Sequence, residues 1–306
     1  LTKTTAEDVV IMIRKHELVR EHVPTNFLND TNVWWALLQK MPLMAMIRNL
    51  GKMTSIELIK SGSEAEQMVV AKLNDQQALR KARIHPFNVL LALYTYQKGH
   101  GEKGSLSWRA NSAVVAALDN AFYASFKFVE PTNKSYCLAI DVSGSMTFQS
   151  CAGSSIITPR QASAALAMVT ARTEKNCEMI GFSSRLVPLN ITADMKLDQV
   201  ISTIERVPMG GTDCAQPMVW AKDNNKKIDV FIVYTDCETW AGRLHPAEAL
   251  RQYRASSGIW DAKLIVCAMT SNGFTLADPE DPGMLDMAGF DANGPEVMKN
   301  FVDGLL

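Results

Sequence analysis

Four short apolar runs in the second half of the chain alternate with helical stretches, and this alternation constrains the fold more than any other feature. The runs are rich in β-branched and aromatic residues, as buried strands are, and their sequences are YCLAI, EMIGF, IDVFIVYT and AKLIVCAM. The intervening helical stretches are RQASAALAMVTART, MKLDQVISTIERV, CAQPMVWAKD and HPAEALRQYRASS. Alternation of this length predicts an α/β doubly wound, parallel sheet with helices on both faces.

The first half of the chain shows only helical periodicity. Its predicted helices are Thr5 to about His22, VWWALLQKM, LMAMIRNL ending at Gly51, PFNVLLALYTYQK, and SAVVAALDNAFYASFKF. Two of these stretches follow or begin with a proline, and Pro42 and Pro86 lie 44 residues apart, within the ~40–47-residue period of HEAT-type helix pairs. We therefore predict a HEAT-like helical-repeat segment over 1–130 and an α/β domain over 131–306.

The two segments also differ in charge. Residues 1–130 hold 16 Lys and Arg against 12 Asp and Glu, whereas residues 131–306 hold 15 against 20. No apolar run reaches the ~18 residues that cross a bilayer, and the first residues lack the layout of a signal peptide, so we expect no membrane partner.

Cysteine usage indicates the compartment. The six cysteines are scattered and form no C-x-x-C pair, which favours reduced, buried thiols over a disulfide framework or a zinc site. We expect a cytoplasmic monomer, with the nucleus as an additional location. N-x-S/T triplets at Asn29, Asn133 and Asn190 leave secretion open as the weaker alternative.

Short oxygen-bearing side chains follow the predicted strands. Asp141, Ser143 and Ser145 come directly after the first run, Asp236 follows the third, and Thr212 lies in a Gly-Gly-Thr-Asp loop before a helix. Ligands of open α/β sheets bind at the carboxyl ends of the strands. The three loops should therefore meet at one edge of the sheet.

Several chemistries can be excluded for this edge. The chain has neither a P-loop nor a strand-linked G-x-G-x-x-G, and it lacks the G-x-S-x-G elbow of serine hydrolases. Aspartyl phosphotransfer generally needs a second acid two residues after the first, where this chain has Ser143. We therefore expect no enzyme activity.

A hard-cation site remains. Mg²⁺ or another divalent cation takes oxygen ligands, which Ser143, Ser145 and Thr212 can supply directly. Asp141 and Asp236 would then hold the ligated waters and hydroxyls in place. Because these direct ligands are uncharged, the ion stays electrophilic, and an acidic protein ligand could complete its shell.

The D-x-S-x-S, G-G-T and T-D motifs resemble the metal-ion-dependent adhesion site (MIDAS) of von Willebrand factor A domains. The resemblance covers roughly 134–306, and all five motif positions are present. It implies a metal-binding role for Asp141, Ser143, Ser145, Thr212 and Asp236.

A second resemblance runs nearly end to end. LLQKMPLMAMIRNLGKMT, KARIHPFNVLLALYTYQKGHG, GGTDCAQPMVWA and LIVCAMTSNGFTLADPEDPGMLDMAGFD are similar to the Ro autoantigen family. Members combine a TROVE module, a ring of helical repeats, with an A domain that closes the ring. The resemblance implies a ribonucleoprotein that binds small non-coding Y RNAs and the single-stranded ends of misfolded non-coding RNAs, as in RNA quality control. A ring needs more helices than 130 residues provide, so we expect only the last part of the module here.

The segment from Arg80 to Arg109 is the candidate RNA surface, because cations neutralise phosphates and aromatic rings stack on unpaired bases. Taken one by one, Tyr94, Tyr96 and Trp108 are better explained as core residues, but the clustered charge of the whole segment favours an RNA contact. The candidate RNA-binding residues are Arg80, Lys81, Arg83, His85, Lys98, His100, Lys103 and Arg109.

An alternative function keeps the metal site but not the RNA. In that hypothesis the chain is a metal-dependent, adhesion-type protein–protein interaction module, and the helices are scaffold. The positive balance of 1–130 favours RNA binding over this alternative.

Overall fold

The computed structural model describes residues 4–101, 104–148, 150–151, 154–208, 210–236, 241–270, 276–289 and 293–306. The chain divides into two compact units, 1–129 and 130–306. Across the described ranges, no helix combines the length and the apolar character that a membrane crossing requires.

The first unit is helical, as predicted. Its helices are α1 (Ala6–His16), α2 (Thr31–Lys40), α3 (Leu43–Ser55), α4 (Glu64–Asn74), α5 (Gln76–Lys81), α6 (Pro86–Lys98) and α7 (Ser112–Ser125). Short 3₁₀ turns cover Arg20–His22, Thr25–Phe27 and Phe126–Phe128. The sequence analysis did not predict α4 or α5; the apolar residues of α4 form one short run between charged residues, and α5 has only six residues.

Two predicted helix ends in this unit are wrong. Helix α1 stops at His16 rather than near His22, because Glu17 takes the left-handed conformation, with φ of 52°. Helix α3 continues through Gly51 to Ser55. A Cβ atom on Gly51 would lie 2.6 Å from the ring of Trp108, so this glycine makes room for a packed indole and does not terminate the helix.

The second unit contains a six-stranded sheet in the order β3-β2-β1-β4-β5-β6. Its strands are β1 (Ser135–Asp141), β2 (Asn176–Phe182), β3 (Leu186–Pro188), β4 (Val230–Thr235), β5 (Lys263–Ala268) and β6 (Met284–Ala288). All neighbours pair in parallel except β2 and β3. The sheet is therefore mixed rather than fully parallel, because the three residues between β2 and β3 allow only a hairpin. The sequence reading missed the short edge strands β3 and β6.

Helices cover both faces of this sheet. They are α8 (Ser145–Phe148), α9 (Pro159–Thr173), α10 (Leu197–Glu205), α11 (Gln216–Asp223), α12 (Pro246–Ser257) and α13 (Gly294–Val302). Helices α11 and α12 share a buried cluster with Cys137 and Ala139 of β1. Tyr136, which points to the opposite face, lines a small cavity with residues of α9 and α13. The described cysteines, which form no disulfide with one another, are Cys137, Cys151, Cys177, Cys214 and Cys267.

Strand β1 lies at the point where the chain changes direction across the sheet. It pairs with β2, reached through α9, and with β4, from which α12 leads to β5 on the other face. Such a switch point opens a crevice at the carboxyl ends of the two central strands. In this chain those ends carry Asp141 and Thr235.

Candidate metal centre and nucleic-acid interface

Asp141 is the buried anchor at the end of β1. Its side chain is fully buried, its Oδ1 accepts a hydrogen bond from the Ser143 backbone N–H at 2.8 Å, and its Oδ2 accepts one from the Thr235 hydroxyl at 2.8 Å. Burial raises the pKa of Asp141 to about 6, although the hydrogen bonds from Ser143 and Thr235 oppose this rise. The carboxylate thus ties the first loop to the end of β4.

The first loop brings two hydroxyls together. Ser143 is 4% exposed and Ser145, the first residue of α8, is half-buried. Their Oγ atoms lie 3.1 Å apart, close enough for both to contact one cation. A third hydroxyl, that of Thr147, lies on α8. Its Oγ1 is buried and has no hydrogen-bond partner among the described residues.

Thr212 reaches the same edge through its neighbours in the chain. The Asp213 N–H donates to the Ser183 carbonyl at 2.9 Å, and Ser183 directly follows the β2 residue that pairs with Asp141. On the other side the Cys214 thiol contacts the Thr235 hydroxyl at 3.8 Å. These contacts hold the Thr212 loop beside the ends of β2 and β4, with Thr212 itself 1% exposed.

Asp236 completes the set of predicted residues. It is fully buried directly after β4, and its backbone carbonyl accepts a hydrogen bond from the Thr270 hydroxyl at 2.8 Å. All three predicted loops therefore reach the carboxyl edge of the central strands.

The donor chemistry of this edge fits a hard divalent cation. Ser143, Ser145 and Thr212 offer neutral oxygens, and Asp141 and Asp236 offer buried carboxylates, which is a donor set suited to Mg²⁺. Among the described residues, no group of three or more His, Cys, Asp or Glu side chains could hold a metal by itself. A metal at this edge would thus depend on hydroxyls.

The sequence analysis assigned no role to three residues at the carboxyl edge of the sheet. Thr235 bonds the Asp141 carboxylate, Ser183 holds the Thr212 loop, and the buried Arg160 contacts the Ser143 carbonyl at 3.4 Å. Thr235 adjoins the T-D motif and could have been identified from it. Ser183 and Arg160 carry no local signal, because only the tertiary structure brings them to Asp213 and Ser143.

The candidate RNA-binding residues mostly lie on the surface of the helical unit. Six of them are exposed, namely Arg80, Lys81, Arg83, Lys98, His100 and Arg109. Lys103 lies outside the described residues. Arg80 and Lys81 end α5, and Lys98 ends α6.

His85 differs from the other candidates. It caps the N-terminus of α6, where its Nδ1 accepts a hydrogen bond from the Phe87 N–H at 3.2 Å. Burial lowers the pKa of His85 to about 4. The imidazole is therefore neutral at neutral pH and does not contribute a positive charge to the segment.

Two aromatic residues of this segment pack together, with Tyr96 buried and Trp108 half-buried. Tyr96 is 2% exposed, and its hydroxyl lies 2.8 Å from the Thr54 hydroxyl and accepts from the Asn111 N–H at 3.3 Å. The Trp108 ring stacks against Tyr96 at 6.2 Å between centroids, and its Nε1 donates to the Tyr96 carbonyl at 2.9 Å. For these two residues the packing interpretation is correct.

Comparison with known proteins identifies the family. The Ro60 vWA domain matches residues 135–302, and the TROVE domain matches residues 12–94.

Two relatives are named RNA-binding protein RO60. The Caenorhabditis elegans protein is 46% identical over 301 residues, which cover 98% of this chain and 46% of the relative. The Deinococcus radiodurans protein is 40% identical over 294 residues, which cover 96% and 55%.

A solved structure agrees with these matches. The crystal structure of the Deinococcus radiodurans RO (RSR) protein superposes with a TM-score of 0.93 at 39% identity, covering 99% of this chain and 61% of that chain. The chain spans about half the length of the curated relatives it matches. The matches in both units and the shared fold show that the chain belongs to the Ro60 family.

Proposed function

We propose that this chain binds RNA, and that its ligands are small non-coding Y RNAs and the single-stranded ends of misfolded non-coding RNAs in ribonucleoprotein particles that serve RNA quality control. The observation that carries the proposal is the identity of 46% and 40% to two proteins named as RNA-binding, which extends through both units. In the same proposal the A domain closes a ring of helical repeats. The protein has no catalytic role.

The charge of the helical unit supports this proposal. Arg80, Lys81 and Arg83 project from the end of α5 and the turn after it, and all three are exposed. Exposed cations on a unit with a positive balance attract the phosphate backbone without reading its sequence. Tyr96 is buried, and the half-buried Trp108 packs against it. The proposed RNA contact therefore relies on phosphate neutralisation more than on base stacking by these two rings.

A filter-binding titration tests the proposal. The parent chain should bind a small RNA with a single-stranded 3′ end, with an affinity that falls steeply as salt rises. The double variant Lys81→Ala, Arg83→Ala should bind more weakly and lower the salt slope by about 1.4, since each contact to single-stranded RNA contributes about 0.7.

A charge-matched control makes this test specific. Lys175 and Lys196 are exposed in the α/β unit, so changing both to alanine removes the same charge far from the candidate segment in sequence. This control should bind as the parent does. Binding by the parent that is undetectable or insensitive to salt would contradict the proposed function.

We propose a second function for the α/β unit, binding of a divalent cation that grips an acidic protein ligand. The hydroxyl pair of Ser143 and Ser145 supports it. Neutral hydroxyl ligands do not cancel the positive charge of the ion, so the ion still attracts an anionic ligand. When bound, the ion would supply Lewis acidity towards the ligand's carboxylate. Asp141 would orient the first loop through its bond to the Ser143 N–H. If the helical unit binds no RNA, this function alone describes an adhesion-type interaction module.

Thermal melting tests the metal site. Mg²⁺ should raise the melting temperature of the parent, because an ion bound only by the native state stabilises it by mass action. The double variant Ser143→Ala, Ser145→Ala should fold but lose this response. The control Ser256→Ala removes an α12 hydroxyl that bonds the Tyr253 carbonyl and should keep it. A melting temperature of the parent that does not respond to Mg²⁺ would refute occupancy of the site.

A further inference from the structure

Arg160 is a buried cation beside the proposed metal site. It lies in the first turn of α9, two residues after the capping Thr158, and it is only 4% exposed. Among the described residues, its guanidinium makes one hydrogen bond, from Nη2 to the Ser143 carbonyl at 3.4 Å. Arg160 therefore contacts the backbone of a residue whose hydroxyl is a proposed metal ligand.

The charge of Arg160 is poorly compensated. Within the described parts of the chain it has no ion-pair partner, and its Nε is buried without a hydrogen-bond acceptor. Asp141 and Glu205 favour its charged form only from a longer range. Arginine stays protonated in proteins even when burial lowers its pKa. The positive end of the α9 dipole lies at the same place and adds to the positive potential.

A buried, incompletely paired guanidinium is costly, and an anion that approaches it reduces the cost. Without a metal ion, the carboxylates of Asp141, Asp236 and Asp213 outweigh the single charge of Arg160; Asp213 is buried beside Thr212 and accepts hydrogen bonds from the Ala215 N–H and the Gln216 amide. A divalent cation and Arg160 together balance these three carboxylates. The charge of Arg160 therefore opposes the cation and attracts an anionic ligand.

We propose that the fixed positive charge of Arg160 weakens metal binding by itself and strengthens the binding of a carboxylate ligand to the metal-loaded site. This inference rests on the proposed metal-binding function. The charge of Arg160 destabilises the protein that holds the metal ion alone. It destabilises the complex with both metal and carboxylate less, so the carboxylate binds more tightly.

A carboxylate suits this site better than an RNA phosphate does. Residues 131–306 hold 20 Asp and Glu against 15 Lys and Arg, so a polyanion meets repulsion from the unit as a whole. A single Asp or Glu on a neutral or basic protein surface avoids that repulsion. The partner's recognition group is therefore one carboxylate within such a surface.

Calorimetric titration of the whole chain with Mg²⁺ tests whether Arg160 weakens metal binding. Titration of acetate into the Mg²⁺-saturated protein, followed by NMR, tests whether Arg160 strengthens carboxylate binding. Arg160→Gln should bind Mg²⁺ roughly tenfold more tightly, as expected for loss of one charge several ångströms from a divalent ion in a high effective dielectric. It should bind acetate about threefold more weakly, since acetate carries half the charge of the ion.

The opposite signs separate a charge effect from a structural one. If Arg160 only held the Ser143 carbonyl in place, Arg160→Gln would weaken both ligands. Arg160→Lys keeps the charge and should stay near the parent for both. Arg172→Gln removes an arginine twelve positions along the same helix, which is about 18 Å away, and should change neither affinity.

A second variant leaves the arginine in place. Glu205 is exposed at the end of α10 and partly offsets the charge of Arg160. Glu205→Gln should therefore weaken Mg²⁺ binding by about twofold and strengthen acetate binding by about 1.4-fold. This direction is the reverse of that for Arg160→Gln.

Three results would overturn the inference while the metal site stands: weaker or unchanged Mg²⁺ binding by Arg160→Gln, unchanged acetate binding by that variant, or equal behaviour of Arg160→Lys and Arg160→Gln. Mg²⁺ binding by none of the proteins, the parent included, would refute the metal site and the inference together.

Discussion

The helical unit and the α/β unit place their candidate functional groups in opposite environments. In the helical unit Arg80, Lys81 and Lys98 are exposed, whereas in the α/β unit Asp141 and Asp236 are fully buried. An exposed cation is solvated in both the folded and the unfolded chain, so its solvation free energy changes little on folding. A buried carboxylate loses its water on folding and must be hydrogen-bonded by its neighbours.

This difference indicates how each unit responds to substitution. Surface charges of the helical unit can change with little effect on stability, usually within about 0.5 kcal/mol. Groups around Asp141 serve both stability and the proposed metal site, so changes there alter both. The exception in the helical unit is His85, whose imidazole is partly buried as a helix cap.

The largest effect should come from the buried side of this comparison. Thr235→Val keeps the shape of the side chain but removes the hydroxyl that donates to Asp141. We expect a loss of about 2 kcal/mol of unfolding free energy, because a buried carboxylate oxygen loses its donor. Hydrogen exchange of the amides in β1 and β4, measured in metal-free protein, reports the change within the α/β unit.

Thr173→Val is the matched control for that substitution. The Thr173 hydroxyl donates to the Val169 carbonyl within α9 at 2.8 Å and is only partly buried. Its removal should cost less than about 0.5 kcal/mol. Equal exchange rates in the two variants would show that the hydroxyl bonded to the buried carboxylate contributes no more than a partly buried helix hydroxyl.

A smaller effect should appear in the helical unit as a pH dependence. The pKa of His85 is lowered to about 4 in the folded chain, from 6.5 in the unfolded chain. The unfolded state therefore binds more protons between these values, and the stabilising contribution is complete above pH 6.5 and falls as the pH drops towards 4. We expect hydrogen exchange of the α6 amides, corrected for intrinsic rates, to show a loss of about 1.4 kcal/mol of opening free energy from pH 7.5 to pH 5.5. Urea unfolding of the whole chain would also report Asp141 in the α/β unit, whose raised pKa of about 6 acts with the opposite sign.

His85→Asn should abolish this pH dependence, because asparagine also caps helices but does not titrate. The control His16→Asn changes an exposed histidine of α1 and should keep the slope of the parent. A parent whose α6 opening free energy is constant between pH 7.5 and pH 5.5 would show that His85 is more solvated than its position indicates.

The central elements could be predicted because their signals are local. The apolar runs of β1, β2, β4 and β5 are long enough to identify as strands, and their order in the chain implies loops that share one edge. Prediction failed where the local pattern was short or ambiguous. Strand β3 has three residues, and Gly51, which resembles a helix terminator, is instead a contact for Trp108.

The sequence by itself determined the alternation of strands and helices, the type of oxygen ligand at the strand ends, and the charge difference between the two segments. Only the tertiary structure decided between core and RNA surface for Tyr96, which is buried, and showed that His85 is a neutral cap and that Arg160 lies beside Ser143. The physical reason is that periodicity and motif spacing are set by neighbours in the chain. Burial, and with it the charge and reactivity of a side chain, is set by residues that are distant in sequence and meet only when the chain folds.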